Sequence, residues 1–405
     1  MSPRTRGLCL LVATALGGIL LWYWFVSRPQ IAPSPLVLLP AQEIPQFTDE
    51  LDREGLLQAL DASIRFLSRR DGSERLPLGG GTVTVKRLRH TLSAFAELLN
   101  RRLSAQEFRS ELARRFDVYR LESRDGGGRS EGPLLVTGYF QPLLKAVLEP
   151  SPDFPYPLYG LPEDLVRITL ADFDPSLPQT TLWGRVSGRS VVPYFTREQI
   201  DLQGQTGEAP VLAWLASPVD GLMLHIQGSG VLQFPDGSQR YIHYAASNGR
   251  PYGSVGKWLI EQGIIEEEEA DWPGIRSWAE RNPRLFLQAA ANNPRYIFFQ
   301  WEREGPLGSL GEVLTPLRSV ALDPTFYPAG ALCYLKTVLP RAGDGRVENE
   351  TFQGFTCYQD TGSAIKGPFR LDLYCGDGSP AGTLAGRLRA PGSLFLLLSK
   401  EDFLP

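Results

Sequence analysis

The sequence predicts a mainly β fold with several packing helices, on three observations. Apolar residues recur at helical spacing chiefly between about residues 51 and 110. Beyond a glycine loop at Gly126 to Gly128 the chain turns into short apolar runs punctuated by Gly and Pro, the texture of strands and tight turns. With 405 residues, 42% of them hydrophobic and 10% aromatic, it can bury a large core in two or three domains.

Charge and cysteine usage exclude several functions. The 41 Lys and Arg are outnumbered by 45 Asp and Glu and form no long basic run, so no nucleic-acid partner is expected. No Cys-x-x-Cys or His-Glu-x-x-His spacing occurs, so a protein-built zinc site is not expected. No other metal and no cofactor is expected either. Cys333, Cys357 and Cys375 would allow one disulfide and one buried thiol in an oxidising compartment, with the pair left open.

The N-terminus reads as an address. Arg4 and Arg6 precede Leu8 to Val26, an uncharged stretch long enough to cross a bilayer core at about 1.5 Å per residue. Trp22, Tyr23 and Trp24 close it as interfacial aromatics would, and the leading arginines predict a cytoplasmic N-terminus with an exported body. The reading is an uncleaved anchor over 8–26 rather than a cleaved signal, and Cys9 comes too early to accept a lipid. Residues 28–47, rich in proline, read as an extended tether.

Packing helices follow. Leu51, Leu56, Leu57, Leu60, Ile64 and Leu67 share a helical face, Leu88 to Leu99 repeats the pattern, and Ser104-Ala105-Gln106-Glu107 is a capping box that opens a third helix. The first β motif is Leu134 to Pro142. Its Thr137-Gly138-Tyr139-Phe140-Gln141 either exposes rings and an amide at a strand end, as carbohydrate sites do, or buries two aromatics beside a turn. Asp220 to Gly230 reads as a strand with Met223, His225 and Gln227 on one side, and with Gly228 and Gly230 letting a ligand approach the backbone. His225 is either a base or a satisfied structural residue. Val231 to Phe234 and Gln239 to Tyr244 form a hairpin across Pro235-Asp236-Gly237. Ser254 caps a helix through Ile260 that Gly263 stops, and Glu266 to Glu269 is a solvated face.

The stretch richest in chemistry runs from Asp360 to Gly376. Its carboxylates Asp360 and Asp372 flank a turn built on Gly362, Gly367 and Pro368, and Leu371 and Leu373 alternate as in a half-buried strand. An Asp between them is costly to desolvate, so either backbone amides hold it or its pKa is raised for use as an acid.

Five ordered motifs resemble the membrane-bound lytic murein transglycosylase A family: Gln227-Gly228-Ser229-Gly230, Asn248 to Tyr252, Ser254 to Lys257, Asn293 to Phe299, and Asp360 to Gly376. The C-terminal part is similar to its three-aspartate domain, with Asp323, Asp360 and Asp372 as the three carboxylates. The resemblance implies a double-psi β-barrel domain, a second β-barrel inserted into it, and a groove between them. The expected division is an N-terminal segment 1–27, the tether 28–47, helices and the first part of the barrel domain 48–140, the insert 141–294, and the second part of the barrel 295–405. The family more often has Tyr-Tyr where Tyr139-Phe140 stand and a second Gly where Ser363 stands.

The implied activity is cleavage of the β-1,4 bond between N-acetylmuramic acid and N-acetylglucosamine in peptidoglycan without water, leaving 1,6-anhydromuramoyl ends. Asp372 matches the family's catalytic acid, with Asp360 and Asp323 in support and Thr137, Tyr139, Gln141, Gln227, Gly228, Ser229, Gly230 and Lys366 as substrate contacts. Such an acid needs a raised pKa, which Leu371, Leu373 and a nearby Asp360 would supply. The implied protein is a monomer at the periplasmic face of the cell envelope, partnered by glycan strands. A silent glycan-binding protein and a two-carboxylate hydrolase remain as other readings.

Overall fold

The structure is a computed structural model, and it describes residues 34–101, 103–122, 133–270, 272–342 and 347–404. The anchor expected over 8–26, the start of the tether and the Gly126 to Gly128 loop lie outside the described residues. Among the described residues no helix is long and apolar enough to cross a membrane.

Strand β1 (Leu36–Leu38) is followed by helix α1 (Arg53–Ser68), the hairpin β2 (Arg75–Leu78) and β3 (Gly81–Thr84), and helices α2 (Val85–Asn100) and α3 (Ala105–Arg115). The Ser104 and Glu107 capping box that opens α3 is fully formed. Next come β4 (Phe116–Leu121), β5 (Leu134–Gln141), β6 (Leu143–Val147), β7 (Tyr156–Tyr159), β8 (Val166–Thr169), α4 (Leu170–Phe173), β9 (Thr181–Ser187), β10 (Ser190–Pro193), α5 (Arg197–Asp201) and β11 (Val211–Leu215). Helix α6 (Pro218–Gln227) leads to the hairpin β12 (Ser229–Gln233) and β13 (Gln239–Ser247), then α7 (Val255–Glu261), α8 (Trp272–Arg281), α9 (Pro283–Ala291) and β14 (Ile297–Glu302). The chain ends with β15 (Ser319–Ala321), β16 (Leu332–Ala342), β17 (Val347–Asp360), β18 (Arg370–Asp377), α10 (Gly378–Arg387) and β19 (Arg389–Ser399).

Two barrels result. In the first, β19-β16-β17-β15-β18-β5 run side by side and β5 pairs back onto β19, closing a six-stranded ring that β4 and β1 extend at one edge. Two of its neighbour pairs, β15–β17 and β18–β5, are parallel, and the closure accords with the expected double-psi barrel. Leu134, Val136, Val320, Leu371, Leu373, Leu394 and Leu396 fill it, and the apolar faces of α1 and α2 cover it, with Phe95 stacking on Phe355 at 4.7 Å. In the second, β14-β13-β12-β6-β11-β7 form a sheet that a bridge from Gly160 to Phe299 joins at its edges. Leu144, Leu158, Leu215, Leu232, Ile242 and Phe299 make its core. The chain crosses between the barrels twice, at Pro142 and over residues 303–318.

Three expectations change. Residues 36–47 are not an extended tether, because Leu36–Leu38 pairs with β4 and Leu36, Leu39 and Ile44 are buried in the core of the first barrel. Asp220 to Gln227 is a helix, not a strand: Ser217 caps it, Pro218 opens it, and Gly228 ends it in the left-handed conformation at φ 80°. Val219, Leu222 and Met223 are its buried face, so His225 and Gln227 do not share one side of a strand. No disulfide forms among Cys333, Cys357 and Cys375, which are all buried thiols. Cys333 pairs with Thr356 across β16 and β17, so Cys357, one residue on, points to the opposite face.

Candidate active site

Strand period places the carboxylates. Leu371 and Leu373 point into the first barrel and are fully buried, so Asp372 between them points out of it. Asp372 lies opposite Thr137 on β5 and opposite Ala321 on β15, and Ala321 in turn lies opposite Asp360 on β17. Thr137, Asp372, Ala321 and Asp360 thus form one row across four strands. With about 4.8 Å between strands, the two aspartate backbones stand roughly 10 Å apart, with only a methyl group between them.

The row is electrostatically loaded. Oδ1 of Asp372 is buried without a hydrogen bond and lies 3.5 Å from Nη2 of Arg370. Burial pushes the Asp372 carboxyl up to about 6, Arg370 pulls against it, and Asp360 adds to the rise. Oδ1 of Asp360 accepts hydrogen bonds from the amides of Ser309 at 2.9 Å and Thr361 at 2.8 Å. Burial outweighs those amides, and its pKa is raised as well. The Tyr139 hydroxyl is buried beside Asp360, and burial together with that carboxyl raises its pKa, so it stays a neutral phenol. Its ring lies 5.3 Å from that of Tyr374, whose hydroxyl donates to Asp377.

The other predicted residues divide by what they touch. Asp323 is buried and accepts from the Thr325 amide and hydroxyl and, at 2.7 Å, from the Gly367 amide, so it braces the turn after Asp360. Burial works to raise its pKa, but those amides, the Thr325 hydroxyl and the Lys366 charge outweigh it and the net shift is downward. Lys366 itself is exposed. Gln227 reaches the first barrel, where its Oε1 accepts from the Phe140 amide at 3.0 Å. Gln141 is buried with neither amide atom bonded to protein. Gly228 faces open space, whereas Leu224 and Pro142 fill the space beside Gly230, and Ser229 is buried next to it in β12. Thr137 is engaged through its hydroxyl, which accepts from Nη2 of Arg370 at 2.9 Å. His225 is a satisfied core residue: Nδ1 accepts from the Ile297 amide at 3.1 Å, and burial drives its pKa well down.

Arg370 and Ser309 are the residues that the sequence reading missed. Arg370 was legible, since two positions before Asp372 on a strand means the same face. Ser309 was not, since its loop meets Asp360 from 51 residues away. Among the described residues no group of three or more His, Cys, Asp or Glu could hold a metal.

This arrangement meets known proteins at the same places. Residues 135–300 match the MltA specific insert domain and residues 318–398 match the 3D domain. The membrane-bound lytic murein transglycosylase A of Vibrio cholerae is 31% identical over 275 residues, covering 67% of this chain and 67% of that one. The chain belongs to the membrane-bound lytic murein transglycosylase A family. Its fold is that of the membrane-bound lytic murein transglycosylase from Agrobacterium tumefaciens, at TM-score 0.72 and 26% identity over 90% of this chain and 97% of that one. MltA from Neisseria gonorrhoeae superposes at TM-score 0.69 and 27% identity, over 90% and 93%. The matched insert spans the second barrel, and the matched 3D domain contains Asp323, Asp360 and Asp372.

Proposed function

We propose that this chain is a lytic transglycosylase that cleaves the β-1,4 bond between N-acetylmuramic acid and N-acetylglucosamine in peptidoglycan, with Asp372 as acid and then base. The observation that carries the reading is one outward carboxyl held at a pKa of about 6 by burial. The protonated carboxyl gives its proton to the glycosidic oxygen as the C1–O bond breaks, and N-acetylglucosamine leaves as the alcohol. The cationic C1 is stabilised by its ring oxygen or by the neighbouring acetamido group. The Asp372 carboxylate then takes the proton of the C6 hydroxyl while O6 bonds to C1, which closes the 1,6-anhydro ring and restores the acid. No water is consumed.

Asp360 and Asp323 support this step by charge and by bracing the turn between the strands. The glycan lies across the row, with Thr137, Tyr139, Gln141, Gln227, Gly228, Ser229, Gly230 and Lys366 as its expected surroundings. Asp360 makes a poor second catalytic carboxylate, because two backbone amides already hold its Oδ1. The relatives' name, membrane-bound, supports placement in the cell envelope, and we place the body at the periplasmic face, tethered through 8–26 and acting as a monomer. The test is digestion of purified sacculi in water enriched in oxygen-18. Anhydro ends without label are expected, and labelled reducing ends would replace the reading with a hydrolase.

A further inference from the structure

We infer that Arg370, braced by Thr137, is a positioning residue that fixes which oxygen of Asp372 carries the catalytic proton and balances the carboxylate left once that proton has gone. The inference rests on Asp372 being the acid. Arg370 and Asp372 sit two residues apart on β18, on one face, and the guanidinium spans the gap to β5, where Nη2 donates to the Thr137 hydroxyl at 2.9 Å. That bond leaves the same nitrogen 3.5 Å from Oδ1 of Asp372. A cation beside Oδ1 disfavours a proton there, so the proton resides on Oδ2, the oxygen left to meet the glycan. After transfer the negative charge falls on a buried oxygen that has no hydrogen bond of its own and Arg370 as its nearest cation. Without that cation the acid is weaker and gives up its proton less readily. Among the described residues, the titratable groups around Asp372 on that face are Arg370 and Tyr374 on its own strand, Tyr139 on β5, Asp360 on β17 and the exposed Arg389 on β19 opposite Thr137, while β15 brings only Ala321. Arg370 is the one cation among them within ion-pair reach of Asp372.

The test is the pH dependence of anhydro-product formation by the full chain, for Arg370→Gln, Arg370→Lys and Thr137→Val, with thermal unfolding of each recorded alongside. Arg370→Gln removes the charge, so the alkaline limb of kcat should move up by about one pH unit while kcat at its plateau falls roughly tenfold and KM stays within about twofold. Arg370→Lys keeps a charge without the planar fork and should return the limb towards its parental position. Thr137→Val keeps the shape but loses the brace, and should shift the limb in the same direction by less; it carries the test if Arg370→Gln fails to fold. An unmoved limb in folded Arg370→Gln, or a raised KM as its only change, overturns the inference. Labelled reducing ends from the parental protein would instead overturn the reading of Asp372 beneath it.

Discussion

Asp372 is costly where it stands, and that cost can be measured. Its folded pKa is raised from 3.8 to about 6, so the folded state binds its proton more tightly than the unfolded one. The associated stability is fully present below about pH 4 and is lost as pH rises through 6. Asp372→Asn, which cannot carry the charge, should unfold with the parent at pH 4. It should outlast the parent above pH 6, by up to about 3 kcal/mol, in chemical denaturation followed by circular dichroism. The same variant should lose 10²- to 10⁴-fold in anhydro-product formation, since an amide of that shape cannot protonate the leaving oxygen. Parental activity at fixed glycan should fall tenfold per pH unit above about 6, as the acid deprotonates. A variant that is both folded and active, or parental activity that holds level to pH 9, would remove Asp372 from the acid's role. The sequence made this residue legible because an Asp between two leucines needs a reason. It did not reveal that Thr137 holds Arg370 or that Gln227 bonds the Phe140 amide, since such pairings depend on partners far along the chain.

Local signals fixed some elements and misled at another. Capping chemistry predicts α3 and α7 correctly, because Ser104 and Ser254 satisfy free amides within their own first turns. Helix α6 was misread because a short apolar run with glycines at its end suits a strand as well as a buried helix. The discriminating sign was Ser217-Pro218 at its start, a cap followed by the residue best suited to a first helical turn. Packing between elements sets a different requirement at Gly138. A Cβ there would lie 2.8 Å from both Cα of Ala385 and Sγ of Cys375, so α10 can rest on β5 only if position 138 has no side chain. Gly138→Ala should therefore cost about 1 to 3 kcal/mol in chemical denaturation, as overpacking does, and should disturb the row beside Thr137. An unchanged midpoint would mean that α10 yields freely.

At the scale of the molecule, one chain leaves a barrel, builds a second, and returns to finish the first. The β texture from Leu134 and the half-buried strand around Asp372 were readable from periodicity. Ring closure was not, because β5 and β19 pair across more than 240 intervening residues. The return passage over 303–318 bears directly on the proposed chemistry. Its loop folds on itself through a bridge from Leu307 to Val313 and a bond from the Gly308 amide to the Glu312 carbonyl at 2.9 Å, and it delivers the Ser309 amide to Asp360. Glu312 pins that loop to α1: its buried carboxylate accepts from Arg65 at 2.9 Å and from Arg69. Both arginines remain more than half exposed, at 58% and 56%, so losing the pair should cost only about 1 kcal/mol of stability. Its effect on turnover should be larger in proportion, because an amide freed from Asp360 removes a bond that favours that group's charged form. Glu312→Ala should thus melt close to the parent yet form anhydro ends several-fold more slowly, with no change of product. Normal turnover in that variant would show that the close fit of Gly308 over the Gln359 carbonyl is enough to hold the loop in place.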